Sequence, residues 1–181
     1  EPFASRFIGR PYLGEVASAD AQIGRILSLL EAQDELDHTW VIMTADHGEG
    51  LGSHGENLHG VLLYDATTRI PLIIRPPAGL EAPRRVSQTV SLVDLAPTIL
   101  SLARLRADEK MEGIDLSPWL QAADLETPTT DRAVYLESLY AWYHFGWAPQ
   151  RALVDDDFKL IDSTTAELYH RSDSQESDSL A

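Results

Sequence analysis

The amino-acid sequence predicts an α/β fold with a mostly parallel central sheet, followed by a small antiparallel β appendage. Helical and strand-like apolar patterns alternate over residues 11–105, which is typical of α/β domains. The first strand-like run shows no polar alternation, and short strand-like segments cluster after residue 132. We therefore predict two parts, with residues 1–132 as the α/β part and residues 133–181 as an antiparallel subdomain.

The α/β part opens with a helix and a strand. Residues from Pro11 to about Ala32 have apolar side chains at helical spacing, and Pro11 suits a first helical position. Residues 39–45 then form an unbroken apolar run that is rich in β-branched side chains. Because this run does not alternate with polar residues, we expect a strand that is buried on both faces, as in a parallel sheet.

A glycine-rich loop is predicted to follow this strand. Residues 46–60 contain five glycines and few apolar side chains, and an apolar return follows at residues 61–64. Further strands are predicted at residues 71–75 and 89–93. A helix should then run to about Arg104, with Asp94 as its N-cap.

The last fifty residues have a different pattern. Short strand-like segments recur there, and the three consecutive aspartates between the last two segments favour a hairpin turn. The predicted strands are residues 133–136, 151–154 and 158–161, with the turn at residues 155–157.

Composition and charge limit the function. The chain has 181 residues, of which 44% are hydrophobic, so it can bury a core. Its formal charge is −15, which argues against a nucleic-acid partner because phosphate contacts need clustered Lys and Arg. A small anionic substrate is not excluded, because a metal ion and a few local cations can dominate a site. The sequence contains no Cys and no apolar run long enough to span a membrane, and the compartment stays open.

Asp46 and His47 stand where the first apolar strand ends. In open α/β sheets, ligands bind outside the carboxyl ends of the strands, and a carboxylate with an imidazole there can bind a divalent cation. Gly48 would allow a sharp turn after these residues. The triplet alone also fits an ordinary turn, but the long glycine-rich loop and a third histidine, His59, favour a metal site.

The sequence around these residues resembles the carboxyl-terminal half of sulfatases of the alkaline-phosphatase superfamily. The resemblance is carried by Thr44-Ala45-Asp46-His47-Gly48-Glu49, Leu51-Gly52, His54-Gly55, Leu63-Tyr64-Asp65 and Arg69-Ile70-Pro71-Leu72-Ile73-Ile74-Arg75. It extends upstream to Tyr12-Leu13-Gly14-Glu15-Val16 and downstream to Val93-Asp94-Leu95-Ala96-Pro97, Phe158-Lys159-Leu160-Ile161 and Glu167-Leu168-Tyr169.

The resemblance implies a partial alkaline-phosphatase-like sandwich and a role for three residues. Asp46 and His47 match the family's second pair of metal ligands, which implies Ca²⁺, with Mn²⁺ or Zn²⁺ as alternatives. His59 matches the position of a Lys or His that contacts the sulfate oxygens or the leaving-group oxygen, which makes it the candidate catalytic and substrate-binding residue.

The resemblance also implies what this chain lacks. Sulfatases use a formylglycine, made from a Cys or Ser, and two more metal carboxylates, all in their amino-terminal half. The sequence has neither such a motif nor any Cys, so we expect these groups in a missing amino-terminal half, and the 181 residues alone to be inactive. The implied substrate is a sulfate monoester, including sulfated carbohydrates, and the family favours a periplasmic or secreted location.

Two alternatives stay open at this point. A phosphodiesterase, phosphonate hydrolase or phosphoethanolamine transferase of the same superfamily could carry the same loop, and a non-catalytic domain could have kept the fold alone. His59 could also be a plain polar loop residue. The aromatic segment at residues 140–147 could form core, a domain seam or a substrate cleft, whereas Arg75, Arg151 and Lys159 are interpreted as structural or surface charges.

Overall fold

The structure is a computed structural model that describes residues 7, 9–79, 85–121 and 131–181. The chain divides into two compact units, Glu1–Met43 with Ile73–Leu80, and Thr44–Leu72 with Glu81–Ala181. In chain order, the helices and strands are α1 (Pro11–Ala32), β1 (Val41–Thr44), α2 (Asp65–Thr68), β2 (Leu72–Arg75), α3 (Leu95–Leu102), α4 (Ser117–Gln121), β3 (Val134–Ser138), α5 (Tyr140–Phe145), β4 (Gln150–Val154), β5 (Phe158–Asp162) and β6 (Glu167–His170).

The first unit contains α1 and most of β1 and β2. The helix predicted from Pro11 to Ala32 is confirmed at both ends. The two strands pair with each other, and Arg75 of β2 binds the Leu36 carbonyl at 2.7 Å and the Asp37 carboxylate at 3.0 Å. The structural role predicted for Arg75 is therefore confirmed.

The extent of the predicted parallel sheet is not confirmed. Within the described residues, β1 pairs only with β2, and all four residues of β1 are partly exposed. Burial of β1 on both faces was predicted from its lack of polar alternation, but burial depends on neighbouring elements that the pattern of one strand does not specify.

The second unit is built on a four-stranded antiparallel sheet in the order β3–β4–β5–β6. Asp155 closes the β4–β5 hairpin by accepting hydrogen bonds from the amides of Asp157 and Phe158 at 2.8 and 2.6 Å. Alternate residues of β4 and β5 point inward. The core consists of the buried side chains Leu63, Ala152, Ile161 and Tyr169, with Tyr64 and Leu136 packed against them. The predicted antiparallel strands are thus present, whereas the boundary between residues 132 and 133 stays a prediction.

The third predicted strand, at residues 89–93, is wrong. Residues Leu92–Asp94 form a 3-10 turn that leads directly into α3, which ends at Leu102. Ser91 precedes this turn and forms a capping box with Asp94. Asp94 occupies the N-cap position of α3, as predicted, but its side chain forms no capping hydrogen bond to α3. β-Branched residues before a helix cannot distinguish a strand from an extended lead-in when no neighbouring strand is available.

Asp94 has a larger structural role than a cap. Its carboxylate is fully buried, accepts a hydrogen bond from the Ile114 amide at 2.9 Å and forms an ion pair with Arg132. A buried carboxylate needs such partners because burial of an unpaired charge is strongly unfavourable. Asp94 thereby joins α3 to the segments that follow it.

Residues 61–64, the apolar return after the loop, do not form a strand. They form an irregular segment that enters α2, and this segment is fixed by side chains rather than by a β ladder. The carboxylate of Glu56 accepts hydrogen bonds from the amides of Val61 and Leu62 at 2.9 and 3.1 Å. No helix among the described residues is long and apolar enough to cross a membrane.

Candidate active site

The glycine-rich loop after β1 folds tightly back on itself. The amides of Gly48 and Gly50 donate to the carbonyls of Thr67 and Leu58 at 2.8 and 2.7 Å. A Cβ atom on Gly48 would lie 2.2 Å from the Ala66 carbonyl oxygen, so a larger residue could not be accommodated without moving the backbone. The close approach of α2 to this loop therefore requires glycine at position 48.

Asp46 and His47 adopt an arrangement that suits cation binding. Nδ1 of His47 lies 2.9 Å from the Gly48 carbonyl oxygen, which can only accept, so Nδ1 carries the proton in this hydrogen bond. In neutral imidazole the lone pair is then on Nε2, which lies 3.6 Å from Oδ2 of Asp46. The His47 side chain is 44% exposed, and the Asp46 side chain is 85% exposed. Two acceptor atoms that face each other in this way leave room for a positive charge between them.

His59 lies against His47. The two rings stack with centroids 3.8 Å apart and planes inclined by 28°. Nδ1 of His59 lies 3.3 Å from one oxygen of the Glu49 carboxylate and 3.4 Å from the other. Because the carboxylate accepts, it favours the Nδ1–H form and leaves Nε2 of His59 for another partner.

The three predicted site residues line one cleft of about 720 Å³ in the second unit. The structure thus brings Asp46, His47 and His59 together in one cleft. Two basic residues for which the sequence predicted no role at the site, Arg69 and Arg171, also line this cleft. Neither has a local sequence signal, because one follows a short helix and the other follows the last strand.

The return of the loop is anchored on the side of His59. Oγ of Ser138, at the end of β3, donates to the carbonyl of Gly60 at 2.7 Å, directly after His59. Thr67 of α2 donates to the Leu62 carbonyl at 3.0 Å. These bonds fix the backbone that carries the His59 ring.

His54 has a structural place. Its ring stacks on Tyr64 with centroids 3.5 Å apart, and its Nε2 lies 3.0 Å from the Glu176 carbonyl oxygen. These contacts make His54 a hydrogen-bonded structural residue of the loop. Tyr64 and Tyr169 both donate to Oε2 of Glu167 at 2.7 Å. The pKa of Tyr64 is raised to about 12, mainly by burial and secondly by the hydrogen bond to the Glu167 carboxylate. The Tyr64 hydroxyl therefore stays protonated and acts as a donor.

A buried ion cluster supports α2, whose residues form part of the cleft wall. Nζ of Lys159 lies 2.8 Å from Oδ1 of Asp65 and 2.9 Å from Oε1 of Glu176, and it donates to Oγ1 of Thr68 at 3.1 Å. Glu176 also accepts the backbone N–H of Asp65. The Lys159 side chain is only 1% exposed, so the interpretation of Lys159 as a structural charge is confirmed, but it lies in the core rather than on the surface.

The described residues offer two candidate metal ligands rather than a complete set. Among residues 7, 9–79, 85–121 and 131–181, no group of three or more His, Asp or Glu side chains could hold an ion together. Asp46 and His47 remain the pair whose donor atoms converge in the cleft. Completing a coordination sphere would require donors beyond this pair.

Comparison with known proteins shows the family to which this chain belongs. Residues 9–105, more than half of the chain, match the sequence profile of the sulfatase family, and the chain belongs to that family. A sulfatase of Escherichia coli described as uncharacterised is 37% identical over 84% of this chain. The N-acetylglucosamine-6-O-sulfatase of Bacteroides thetaiotaomicron is 35% identical, also over 84% of this chain. The chain spans 29% and 27% of the lengths of these two relatives.

Solved structures show the same fold. One, of a protein in complex with its substrate D-glucosamine-2-N,6-O-disulfate, aligns with 94% of this chain at a TM-score of 0.75 and 31% identity, and 35% of that protein is covered. The phosphonate monoester hydrolase of Agrobacterium radiobacter aligns with 96% of this chain at a TM-score of 0.76 and 28% identity, and 37% of it is covered. The alkaline-phosphatase-like fold expected from the sequence is therefore supported.

Proposed function

We propose that this chain forms part of the active site of a metal-dependent sulfatase that hydrolyses sulfate monoesters of carbohydrates. The observation that carries the proposal is the convergence of Asp46, His47 and His59 on one cleft, with Nε2 of His47 facing Oδ2 of Asp46 at 3.6 Å. Support for a carbohydrate comes from the N-acetylglucosamine-6-O-sulfatase, which shares 35% identity with the chain.

The donor atoms fit a divalent cation. Two ligands at about 2.4 Å from one calcium ion and at about a right angle lie ~3.4 Å apart, close to the observed spacing. The hydrogen bond from His47 Nδ1 to a backbone carbonyl is the kind of contact that orients a metal-binding imidazole. We propose Ca²⁺, with Mn²⁺ and Zn²⁺ as the alternatives. Such an ion acts as a Lewis acid that stabilises negative charge on the ester oxygens.

His59 would act on the leaving side of the ester. With Nδ1–H donated to Glu49, a protonated ring presents Nε2–H as a second donor toward the cleft. That proton can stabilise an anionic ester oxygen or pass to the leaving-group oxygen. The stacking of His59 on His47 holds this donor beside the proposed cation site.

The nucleophile is not among these residues. The resemblance implies a formylglycine, and the 181 residues contain neither a Cys nor the motif in which a Cys or Ser is converted. We propose that the nucleophile and the remaining metal ligands come from other residues of the protein. This proposal is consistent with the chain spanning only 29% and 27% of the lengths of the two relatives compared above.

A phosphonate monoester hydrolase is the second candidate. It is favoured by one observation, the structural similarity to the Agrobacterium radiobacter enzyme at a TM-score of 0.76 and 28% identity. The same cleft would then hold an ester of phosphorus rather than of sulfur, and the two functions differ in which ester is turned over faster.

The test compares esters in the full-length protein. We expect kcat/KM for N-acetylglucosamine 6-sulfate to exceed that for a phenyl phosphonate monoester. Asp46→Asn should lower turnover by on the order of 10²-fold or more, because it removes a charged donor to the cation. Asp162→Asn, an exposed aspartate at the end of β5, is the matched control and should leave turnover unchanged. Faster phosphonate hydrolysis would favour the second candidate, and no loss in Asp46→Asn would refute the metal role.

A further inference from the structure

Exposed aromatic side chains form a contiguous row on α5 and just beyond it. The aromatic row consists of Tyr140, His144, Phe145 and Trp147. Ring centroids are 4.2 Å apart for Tyr140 and His144, 6.1 Å for Tyr140 and Phe145, and 5.2 Å for Phe145 and Trp147. The four rings therefore form one continuous surface and are not scattered exposed residues.

The backbone holds the aromatic row in place. Tyr140 and His144 lie one turn apart on α5, which puts them on one face of the helix. Gly146 ends the helix with φ of 65°, and its amide donates to the Trp142 carbonyl at 3.1 Å. The Trp147 amide donates to the Ala141 carbonyl at 3.2 Å, which folds Trp147 back toward the helix. The position of the last ring is thus set by main-chain hydrogen bonds.

One end of the aromatic row lies at the cleft. Tyr140 lines the same cleft as His59. Ser138, two residues before Tyr140, donates to the carbonyl of Gly60, which directly follows His59. The other members of the row are not part of the cleft wall. The row therefore begins at the rim that carries His59 and leads away from it.

Within this chain the rings lie on the surface and not in the core. Tyr140, Phe145 and Trp147 are 50%, 56% and 60% exposed. A patch of aromatic carbon that is rimmed by polar atoms and continuous with a cleft is typical of ligand-binding surfaces. Tyr and Trp suit such surfaces because each has a large apolar face and a polar group at one edge.

We propose that the aromatic row binds sugar units next to the sulfated unit that occupies the cleft. This assignment rests on the proposed function, in which the substrate is a sulfated carbohydrate. A pyranose ring has an apolar C–H face and hydroxyls at its edge, which matches the half-exposed rings of Tyr140 and Trp147. An open row fits a chain of such units, whereas a flat apolar aglycone would be expected to occupy an enclosed apolar pocket. The substrate is accordingly an oligosaccharide or polysaccharide rather than a single sulfated sugar.

The test uses two substrates of different length in the full-length protein. They are N-acetylglucosamine 6-sulfate and a tetrasaccharide of N-acetylglucosamine with one 6-sulfate group. Trp147→Ala should lower kcat/KM for the tetrasaccharide about 3- to 10-fold, mainly through KM, which is the loss expected for one aromatic contact. The loss on the monosaccharide should be clearly smaller. Trp147→Phe should recover most of the affinity for the tetrasaccharide.

A control separates the aromatic row from surface aromatics in general. Tyr135 on β3 is 54% exposed and does not line the cleft, so Tyr135→Ala should leave both substrates unaffected. Equal losses on both substrates in Trp147→Ala, or no loss on either, would overturn the proposal. So would a larger loss on 4-nitrophenyl sulfate than on the tetrasaccharide, because the row would then bind an aromatic aglycone.

Calorimetry with the unsulfated tetrasaccharide keeps this test independent of catalysis. Binding that weakens in Trp147→Ala but not in Tyr135→Ala supports the aromatic row even if no sulfate ester is turned over. If the wild-type protein does not bind the tetrasaccharide, the sugar-binding role proposed for the aromatic row is wrong. Failure of the proposed function alone would appear differently, as tetrasaccharide binding without sulfate release.

Discussion

The ring of His59 is oriented by two neighbours. Glu49 accepts from Nδ1, and the ring of His47 stacks on one face at 3.8 Å. These contacts determine which ring nitrogen is available in the cleft, so the role proposed for His59 depends on orientation as much as on charge. A residue that acts on the ester rather than on the cation should affect the rate and leave cation affinity nearly intact.

Replacing His59 tests this separation. In the full-length protein, His59→Ala should lower kcat by on the order of 10²–10³, which is typical for loss of one transition-state contact. Calcium affinity, measured by calorimetry, should change little. His59→Lys should recover much of the turnover because it restores a cation at this position.

The matched control for His59 is His170→Ala, since His170 is an exposed histidine that does not line the cleft. This control should retain full turnover. Equal activity of His59→Ala and the wild-type protein on a substrate with a poor leaving group would contradict the role of His59.

At the residue scale, the sequence predicted the site better than its surroundings. Asp46 and His47 could be found because an apolar strand stops at two polar residues, and His59 because the resemblance aligned it. Arg69 and Arg171 could not be found, since their place at the cleft follows from how α2 and β6 pack. The burial of Lys159 was also missed, because its carboxylate partners lie 94 and 17 residues away in the chain.

At the scale of elements, α2 is held by residues from distant parts of the chain. Lys159 of β5 and Glu176 of the carboxyl-terminal segment meet at Asp65, the first residue of α2. A four-residue helix has little stability of its own, so these contacts determine its position. Since Asp65, Thr67 and Thr68 line the cleft, the ion cluster also determines the cleft wall.

Removing the buried cation should therefore destabilise the protein. Lys159→Met removes the buried cation that Asp65 and Glu176 share and leaves Asp65 with only its longer ion pair to Arg69 at 3.7 Å among the ion pairs described for it. Loss of one partner of a buried ion pair typically costs about 3–5 kcal/mol of unfolding free energy. Arg151→Met is the control, because Arg151 is exposed and lies 3.8 Å from Glu137, and it should cost less than about 1 kcal/mol. Equal, small losses in urea unfolding would show that the cluster does not stabilise the fold.

Elements with a strong local pattern were predictable, and those fixed by tertiary contacts were not. The 22 residues of α1 have helical periodicity throughout and begin at Pro11, and the β4–β5 hairpin is closed by its own aspartates. The strand expected at residues 89–93 has the right composition but no partner strand. The carboxylate of Asp94 binds the Ile114 amide and the Arg132 side chain, which lie 20 and 38 residues further along the chain. A local sequence pattern does not reveal such distant contacts.

At the scale of the whole molecule, the chain supplies one part of the proposed chemistry. It brings together two proposed metal ligands and one candidate acid, but the sequence has neither a Cys nor the motif expected for a formylglycine. It spans less than a third of the length of the two sulfatases to which it was compared by sequence. The substrate-binding surface at the aromatic row would add specificity to a site whose nucleophile is elsewhere.

The isolated 181 residues should therefore have no sulfatase activity. Purified chain should release no sulfate from 4-nitrophenyl sulfate above the level of its own Asp46→Ala variant, measured by nitrophenol absorbance. The full-length protein serves as the positive control. Turnover by the 181 residues that disappears in Asp46→Ala would contradict the division of the site between this chain and other residues.

The most direct test of the central claim is the position of the cation in the full-length protein. A crystal structure with Mn²⁺ in place of Ca²⁺, recorded at a wavelength where manganese scatters anomalously, locates the ion without reference to activity. The account predicts an anomalous peak in the cleft within bonding distance of a carboxylate oxygen of Asp46 and of Nε2 of His47, with His59 beside it. An ordered loop in which these two side chains bind no ion, while the ion occupies another site, would contradict it.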